Sequence, residues 1–253
     1  IRYDNSGDGP NSWPHRKDSI CAFIHRVDPD IIDMQEVLHH QLEVLKTGLP
    51  EYTVVGVGRE DGKTAGEYAP IFFKQAKYTL LDQNTFWLCE KPDSVGMVGW
   101  DAALTRIATW AKLQDKKTGQ ILMVVNTHFD HIGTEARRNS ALLIIEKIKE
   151  IVGTSPAILT GDFNVSEDWD AYKTITNNEF ILKDAHKVAG KRTGVDFTYH
   201  NFGKIPAEKC EKIDFIFVTP QIRVISSYIP FSQLNDTLFL SDHNPEIVEL
   251  EIK

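Results

Sequence analysis

Residues 157–164 read AILTGDFN, and this stretch combines the two features that decide the fold. Its first four residues form a short, largely apolar run followed by glycine, which is typical of a buried strand. Its second half places two polar side chains, Asp162 and Asn164, directly after that strand. A charged side chain is costly to bury without a partner. A carboxylate at the end of a buried strand therefore indicates a site that supplies such a partner.

Three further polar clusters follow apolar runs in the same way, and one carboxylate lies inside such a run. They are Gln35 and Glu36 at the end of DIIDMQ (30–35), Asn126, Thr127 and His128 with Asp130 and His131 after ILMVV, Ser241, Asp242 and His243, and Asp214 within IDFIFV (213–218). Converging strand ends that carry these groups predict one polar site. Hard oxygen ligands with scattered histidines favour Mg²⁺ or Mn²⁺ over zinc.

The rest of the chain predicts short strands with a few amphipathic helices between them. Helices are expected after Pro14, over residues 38–49, and from a cap at Thr134, with Ser166 capping a shorter one. Separate strands are expected at 78–81 and 85–88, and another at 197–202. Hairpin signals such as DKKTGQ (115–120) break strict βαβ alternation. The pattern therefore favours two packed sheets covered by helices over a doubly wound parallel sheet.

Composition excludes several classes of protein. The chain carries 28 Lys and Arg against 36 Asp and Glu, a net charge of −8, with no basic tract that would follow a long polyanion. No apolar run approaches the roughly 20 residues that span a bilayer. Three widely spaced cysteines suggest neither a disulfide framework nor a cysteine-based zinc site. No repeat or linker divides the chain, so one domain over residues 1–253 is expected. A soluble protein, either cytoplasmic or exported after removal of an N-terminal segment, is expected, and the oligomeric state is open.

The segments DIIDMQEV, VNTHFDH, LTGDFN, KIDFIFV and SDHNP, in that order, resemble the endonuclease/exonuclease/phosphatase (DNase I-like) superfamily. Each motif alone is weak, but their order makes the resemblance specific, and it covers nearly the whole chain. The segments IRYDN, GEYAPIFF and GWDAALTRIATW are most similar to bacterial members. The resemblance implies an α+β fold, a four-layer α/β/β/α sandwich of two packed, mainly antiparallel sheets.

The resemblance also implies roles for the polar residues. Glu36 matches the family's main metal-ligand glutamate, and Asp242 is expected to help hold the Mg²⁺ or Mn²⁺ ion. The catalytic positions, by the same comparison, are Asp162 for the attacking water or leaving oxygen, Asn164 to orient groups at the phosphate, His243 as phosphate contact or general base, Asp214 to orient His243, and His128 for a phosphate contact. The family normally has an asparagine just before the position of Ile1, and we expect the full protein to have it.

Three more residues are expected at the substrate. Arg106 is suited to grip a phosphate with its planar guanidinium. His131 and Tyr68 are expected to make polar contacts there, although structural hydrogen bonding is an equal alternative for Tyr68 and Arg106. The spacing His128-x-x-His131 lacks the further soft ligands of a zinc site.

The expected activity is divalent-metal-dependent hydrolysis of a phosphodiester by direct water attack, with a small or single-stranded substrate favoured. The expected partner is a phosphoester substrate, with nucleic acids and nucleotides among the candidates. A phosphomonoesterase is the alternative, and a closed pocket around Tyr68, Trp100 and Arg106 would favour a small phosphate ester. A catalytically silent binding module on the same scaffold is the alternative from a different class.

Overall fold

The computed structural model describes residues 1–153, 155–177 and 182–253. The α-helices are α1 (Trp13–Val27), α2 (His39–Gly48), α3 (Thr134–Val152), α4 (Asp170–Thr176) and α5 (Ala185–Val188), with 3₁₀ turns at Ser6–Asn11 and Ala207–Lys209. The strands are β1 (Ile31–Asp33), β2 (Tyr52–Val55), β3 (Ile71–Lys74), β4 (Tyr78–Trp87), β5 (Ile107–Asp115), β6 (Ile121–His128), β7 (Ala157–Asp162), β8 (Lys183–Asp184), β9 (Lys191–Gly194), β10 (Asp214–Val218), β11 (Ile222–Ile229) and β12 (Ile247–Ile252). None of the described helices is both long and apolar enough to cross a bilayer.

The central sheet has six strands in the order β4-β5-β6-β7-β10-β8. Its only parallel pair among the described strands is β6 with β7, joined by the long helix α3. Two smaller sheets, β1-β3-β2 and β12-β11-β9, form the second sheet layer. They lie on one face of the central sheet, because Phe73 of β3 and Val224 of β11 share a core with Val124 of β6.

Helices cover both outer faces. Ile144 and Ile148 of α3 pack on the central sheet in a core that includes Leu159 of β7. On the opposite side, Ile20 of α1 and Leu45 of α2 pack on the small sheet that contains β3. The result is the expected four-layer sandwich of helices, two sheet layers and helices. The second sheet layer is not one continuous sheet, because no backbone pairing joins the two small sheets within the described residues. An apolar cavity of about 280 Å³ lies between β1 and β12.

Several local expectations were wrong. The two strands expected at 78–81 and 85–88 are one strand, β4, with a bulge between Leu80 and Asp82. Residues 197–202 form no strand, because Tyr199 makes only isolated bridges, to Glu211 and His243. Thr134 is the first residue of α3 and not its cap. Asp101, from a distant loop, accepts hydrogen bonds from the amides of residues 135 and 136 (3.3 and 2.7 Å) instead. The cap of α4 is Trp169, not Ser166.

The carboxyl group of Asp33, at the end of β1, is buried and faces the apolar cavity between β1 and β12. Its Oδ2 accepts a hydrogen bond from Thr160 Oγ1 (2.9 Å), whereas its Oδ1 has no partner among the described residues. Burial, partly offset by the Thr160 hydrogen bond, raises the pKa of Asp33 to about 7. The folded protein therefore holds this proton over a pH range in which the unfolded chain has lost it.

We expect Asp33→Asn to stabilise the protein at pH 8 and to have little effect at pH 4.5. Between the ordinary pKa of 3.8 and the folded value of about 7, stability falls with rising pH because the unfolded state binds fewer protons. The gain at pH 8 should be on the order of 4 kcal/mol, since the shift from 3.8 to about 7 spans roughly three pKa units and one unit corresponds to about 1.4 kcal/mol. Thermal unfolding at both pH values measures this, with the exposed Asp236→Asn as control. An equal effect of Asp33→Asn at both pH values would contradict the assignment.

Candidate active site and metal centre

The strand register of the central sheet brings three of the expected residues into one row. His128 at the end of β6 lies opposite Asp162 at the end of β7, and Asp162 lies opposite Asp214 at the start of β10. The row is at the carboxyl ends of the parallel pair, where α/β proteins commonly build sites. Sheet register therefore places these side chains together, although 86 positions separate His128 from Asp214.

His243 forms the strongest polar contact of the site. Its Nδ1 lies 2.7 Å from Asp214 Oδ2, and its Nε2 lies 3.9 Å from Asp162 Oδ2. Burial alone would lower the pKa of His243, but the charge and hydrogen bond of Asp214, with the charges of Asp162 and Asp242, raise that pKa to about 10. The imidazole is therefore cationic near neutral pH, with Nε2 facing the centre of the site.

Asp162 lies between two imidazoles of opposite character. His128 Nε2 is 3.5 Å from Asp162 Oδ2, on the other side from His243. Burial and the positive charges of Arg106 and Arg59 hold the pKa of His128 well below 6.5, so this ring is neutral. Burial and the charge of Asp214 raise the pKa of Asp162 to about 7. A carboxyl with that pKa beside a cationic and a neutral imidazole is suited to proton transfer near neutral pH.

Glu36 enters the site from the turn after β1. Its backbone has φ of 61°, a left-handed conformation that is rare for a residue other than glycine. The amide of Tyr3 donates to Glu36 Oε2 at 3.1 Å. Ligand atoms of Glu36, His128 and Asp162 lie within 4.8 Å of one another, close enough to share one cation.

Asp242 completes the acidic side. It is buried, and Ser241 Oγ donates to its Oδ1 at 3.1 Å. The guanidinium of Arg2 places its Nη1 3.7 Å from Asp242 Oδ2 and 3.9 Å from Glu36 Oε2. One cationic nitrogen thus lies near both carboxylates. This oxygen-rich donor set is the type that Mg²⁺ and Mn²⁺ prefer.

Asn164 is fixed beside Asp162. Its backbone is left-handed (φ 50°), its amide donates to Asp162 Oδ1 at 2.9 Å, and its side-chain Nδ2 donates to Phe129 O at 3.0 Å. The remaining side-chain oxygen is free of a hydrogen bond among the described residues.

The three expected substrate contacts lie at the edge of this cluster. Arg106 is buried, with Nε 3.4 Å from Asp130 Oδ2 and Nη2 3.1 Å from Nδ1 of the half-exposed His131. The hydroxyl of the buried Tyr68 donates to Lys63 O at 2.8 Å. This hydrogen bond accounts for Tyr68 structurally, whereas the buried Nη1 of Arg106 has no hydrogen-bond partner among the described residues. The substrate roles of all three residues stay predictions.

Three site residues were not found by sequence reasoning. Arg2 lies against Glu36 and Asp242, and Glu67 Oε2 lies 3.7 Å from His128 Nδ1 while it accepts a hydrogen bond from Arg59 (2.8 Å). Glu67 lies in the GEYAPIFF segment (66–73), just before an apolar run, and this position of a charged residue is the sequence feature that indicates it. Arg2 and Arg59 lie in loops and offered no periodic pattern.

Comparison with known proteins places this site in a family. The endonuclease/exonuclease/phosphatase family model matches residues 5–243. The solved endonuclease/exonuclease/phosphatase from Bacteroides vulgatus is 63% identical, with a TM-score of 0.97 over 100% of this chain and 96% of that one. A mannosyl-6-phosphatase of Bacteroides thetaiotaomicron is 35% identical, with a TM-score of 0.93 over 100% and 97% of the two chains.

A curated relative, nocturnin of Drosophila melanogaster, is 23% identical over 87% of this chain, which spans only 38% of that protein's length. The family is hydrolytic: its members act as nucleases, phosphodiesterases or phosphatases, and they generally use a divalent metal. With the family model covering most of the sequence, the chain belongs to the endonuclease/exonuclease/phosphatase family.

Proposed function

We propose that this chain hydrolyses a phosphodiester of a small or single-stranded molecule by direct attack of water, with Mg²⁺ or Mn²⁺ as cofactor. The observation that supports it best is the position of Asp162, which lies within 4 Å of both His243 and His128 and shares a potential cation site with Glu36. Phosphoester hydrolysis needs a proton acceptor for water and positive charge at the phosphate, and this arrangement offers both.

Glu36 and Asp242 are the residues that would hold the metal ion. When bound, the ion supplies positive charge to the phosphate oxygens and to the leaving oxygen. In this proposal Asp162 accepts the proton of the attacking water. Asn164 orients that water through its free side-chain oxygen, and its Nδ2, which donates one hydrogen to Phe129 O, has a second hydrogen for a phosphate oxygen. His243, kept cationic by Asp214, donates from Nε2 to a phosphate oxygen, and His128 contacts the phosphate as a neutral donor.

A phosphomonoester substrate is the second candidate. The side chains of Tyr68 and Arg106 are both nearly fully buried, which makes this side of the site a packed wall and not an open groove. A packed wall favours a small ester. The likeness to a mannosyl-6-phosphatase at 35% identity supports the same reading. Both candidates use the same water and the same charged groups, and they differ only in the second ester substituent.

A substrate panel separates these candidates. We expect Mg²⁺-dependent hydrolysis of bis-p-nitrophenyl phosphate if diesters are preferred, and of p-nitrophenyl phosphate if monoesters are. Single-stranded RNA and DNA and sphingomyelin extend the panel to polymers and lipid head groups, each assayed with Mg²⁺ and with EDTA. A silent binding module would hydrolyse none of them, and Mg²⁺ would not raise its melting temperature.

The rate on the preferred substrate should depend only weakly on salt. The chain is acidic, with a net charge of −8. Many phosphate contacts to a long duplex would give a slope of about −0.9 per contact in log affinity against log salt. We expect a slope that reflects one or two phosphates, measured as kcat/KM over a salt series on a short and a long substrate. Much faster cleavage of a long duplex, with a steep loss in salt, would contradict the small-substrate proposal.

A further inference from the structure

We propose that Arg2 is a substrate-binding residue whose guanidinium contacts the oxygens of the reacting phosphate beside the cation held by Glu36 and Asp242. This inference rests on the proposed function. It extends the proposed function by one residue of the chain, Arg2, that supplies positive charge to the phosphate.

The guanidinium of Arg2 is anchored by two of its three nitrogens. Nε and Nη2 donate to the two carboxylate oxygens of Asp8 at 3.0 and 3.3 Å. The third nitrogen, Nη1, makes no hydrogen bond among the described residues. It lies 3.7 Å from Asp242 and 3.9 Å from Glu36, beyond ordinary hydrogen-bond distance. Arg2 thus presents an unused donor nitrogen beside Glu36 and Asp242, the two residues that would hold the metal ion.

The backbone of Arg2 is held in an unfavourable conformation. Its φ is 62°, which is rare for a residue with a β-carbon. Its carbonyl accepts hydrogen bonds from Gln41 Nε2 (3.2 Å) and Arg16 Nη2 (3.3 Å), and both of these side chains are fully buried. The guanidinium also lies over the ring of Tyr3, 4.6 Å from its centroid. Buried groups therefore over-determine a conformation that directs Arg2 towards the carboxylates, as expected of a pre-organised site.

Arg2 is also the most accessible of the three arginines near the site. Its side chain is 24% exposed, whereas that of Arg59 is 9% exposed and paired with Glu67, and that of Arg106 is 4% exposed and bonded to Asp130 and His131. Glu36, Asp162, Asp214 and Asp242 together make the site acidic, so an anionic phosphate needs added positive charge. A fixed, partly exposed guanidinium is well suited to it, because its planar fork matches phosphate oxygens.

A simpler role is that Arg2 only neutralises Glu36 and Asp242. The two roles predict opposite results for anion binding, so binding and not activity is the primary readout. Mg²⁺ affinity can be taken from the melting temperature over a Mg²⁺ titration, and inorganic phosphate affinity from calorimetry at saturating Mg²⁺. The variants are Arg2→Gln, Arg2→Lys and Asp8→Asn, with Arg138→Gln on the exposed face of α3 as control.

Arg2→Gln should weaken phosphate binding at least tenfold, while Mg²⁺ affinity stays equal or becomes tighter because a like charge is removed. Arg2→Lys should retain part of the phosphate affinity. Asp8→Asn should weaken phosphate binding without altering the backbone of Arg2. This variant therefore tests the inference even if the Arg2 variants fold poorly. Arg138→Gln should match the wild type.

Phosphate affinity within twofold of the wild type in both Arg2→Gln and Asp8→Asn, with tighter Mg²⁺ binding in Arg2→Gln, would overturn the inference and leave the proposed function intact. If the wild type binds neither Mg²⁺ nor phosphate, the proposed function itself fails, and this inference fails with it.

Discussion

Asp162→Ala is expected to lower kcat/KM by about 10²- to 10³-fold, the range found when a charge-stabilising group is removed from an active site. Among the described residues, Asp162 is the one carboxylate within 4 Å of both imidazoles, so its loss removes the proposed proton acceptor and a potential metal ligand together. Glu36→Ala should have a loss of similar size through metal binding alone. Steady-state kinetics over a Mg²⁺ series measure both.

The fold should survive these changes. Asp162 is buried among other carboxylates, and its raised pKa shows that its charge is disfavoured there. Without metal, Asp162→Ala should therefore melt at or above the wild-type temperature. The exposed Asp236→Asn is the control for general effects of charge. Near-normal turnover with normal Mg²⁺ dependence in either alanine variant would show that the site is wrongly assigned.

Asp214 and His243 are expected to act as one unit. The 2.7 Å contact between them both orients the imidazole and keeps it charged. His243→Ala should cost about 10²- to 10⁴-fold in kcat/KM, the usual range for a group that handles protons. Asp214→Asn should cost most of that amount, because the amide leaves a wrongly oriented or uncharged ring.

The double variant should be only slightly worse than His243→Ala, since residues that work together are strongly non-additive. A double-mutant cycle on kcat/KM measures the coupling, and His15→Ala on the exposed side of α1 is the matched control. Fully additive losses would mean that the two residues act separately.

The sequence predicted the parts of the site that are coupled to strand ends. Asp162 and Asn164 follow a short apolar run, and that local pattern is enough to locate them. The grouping of Asp214 with His243 came from the resemblance to a family, because nothing local links a carboxylate within one strand to a histidine in a later loop. His243 lies outside the named strands, in a segment with an isolated bridge to Tyr199, and only the tertiary fold brings it within 2.7 Å of Asp214.

Other features depended on tertiary contacts that have no local signal. Arg2 lies in a left-handed conformation imposed by Arg16 and Gln41, which are distant in sequence. The short strand β9 pairs in parallel with β11, yet all four of its residues are exposed and show no alternation. Residues 197–202 have strand-like composition, but their backbone groups bond to loop segments at Glu211 and Asp242. Composition alone cannot distinguish a segment that hydrogen-bonds to loops from one that pairs in a sheet.

The most direct test of metal-dependent phosphoester hydrolysis is the turnover of bis-p-nitrophenyl phosphate and p-nitrophenyl phosphate by the wild type and Asp162→Ala, with Mg²⁺, with EDTA, and with Mg²⁺ restored. The site described above predicts wild-type turnover of at least one substrate that EDTA abolishes and Mg²⁺ restores, and none above background in Asp162→Ala. Turnover that survives EDTA or persists in Asp162→Ala would contradict it, as would a wild type that hydrolyses neither substrate and gains no thermal stability from Mg²⁺.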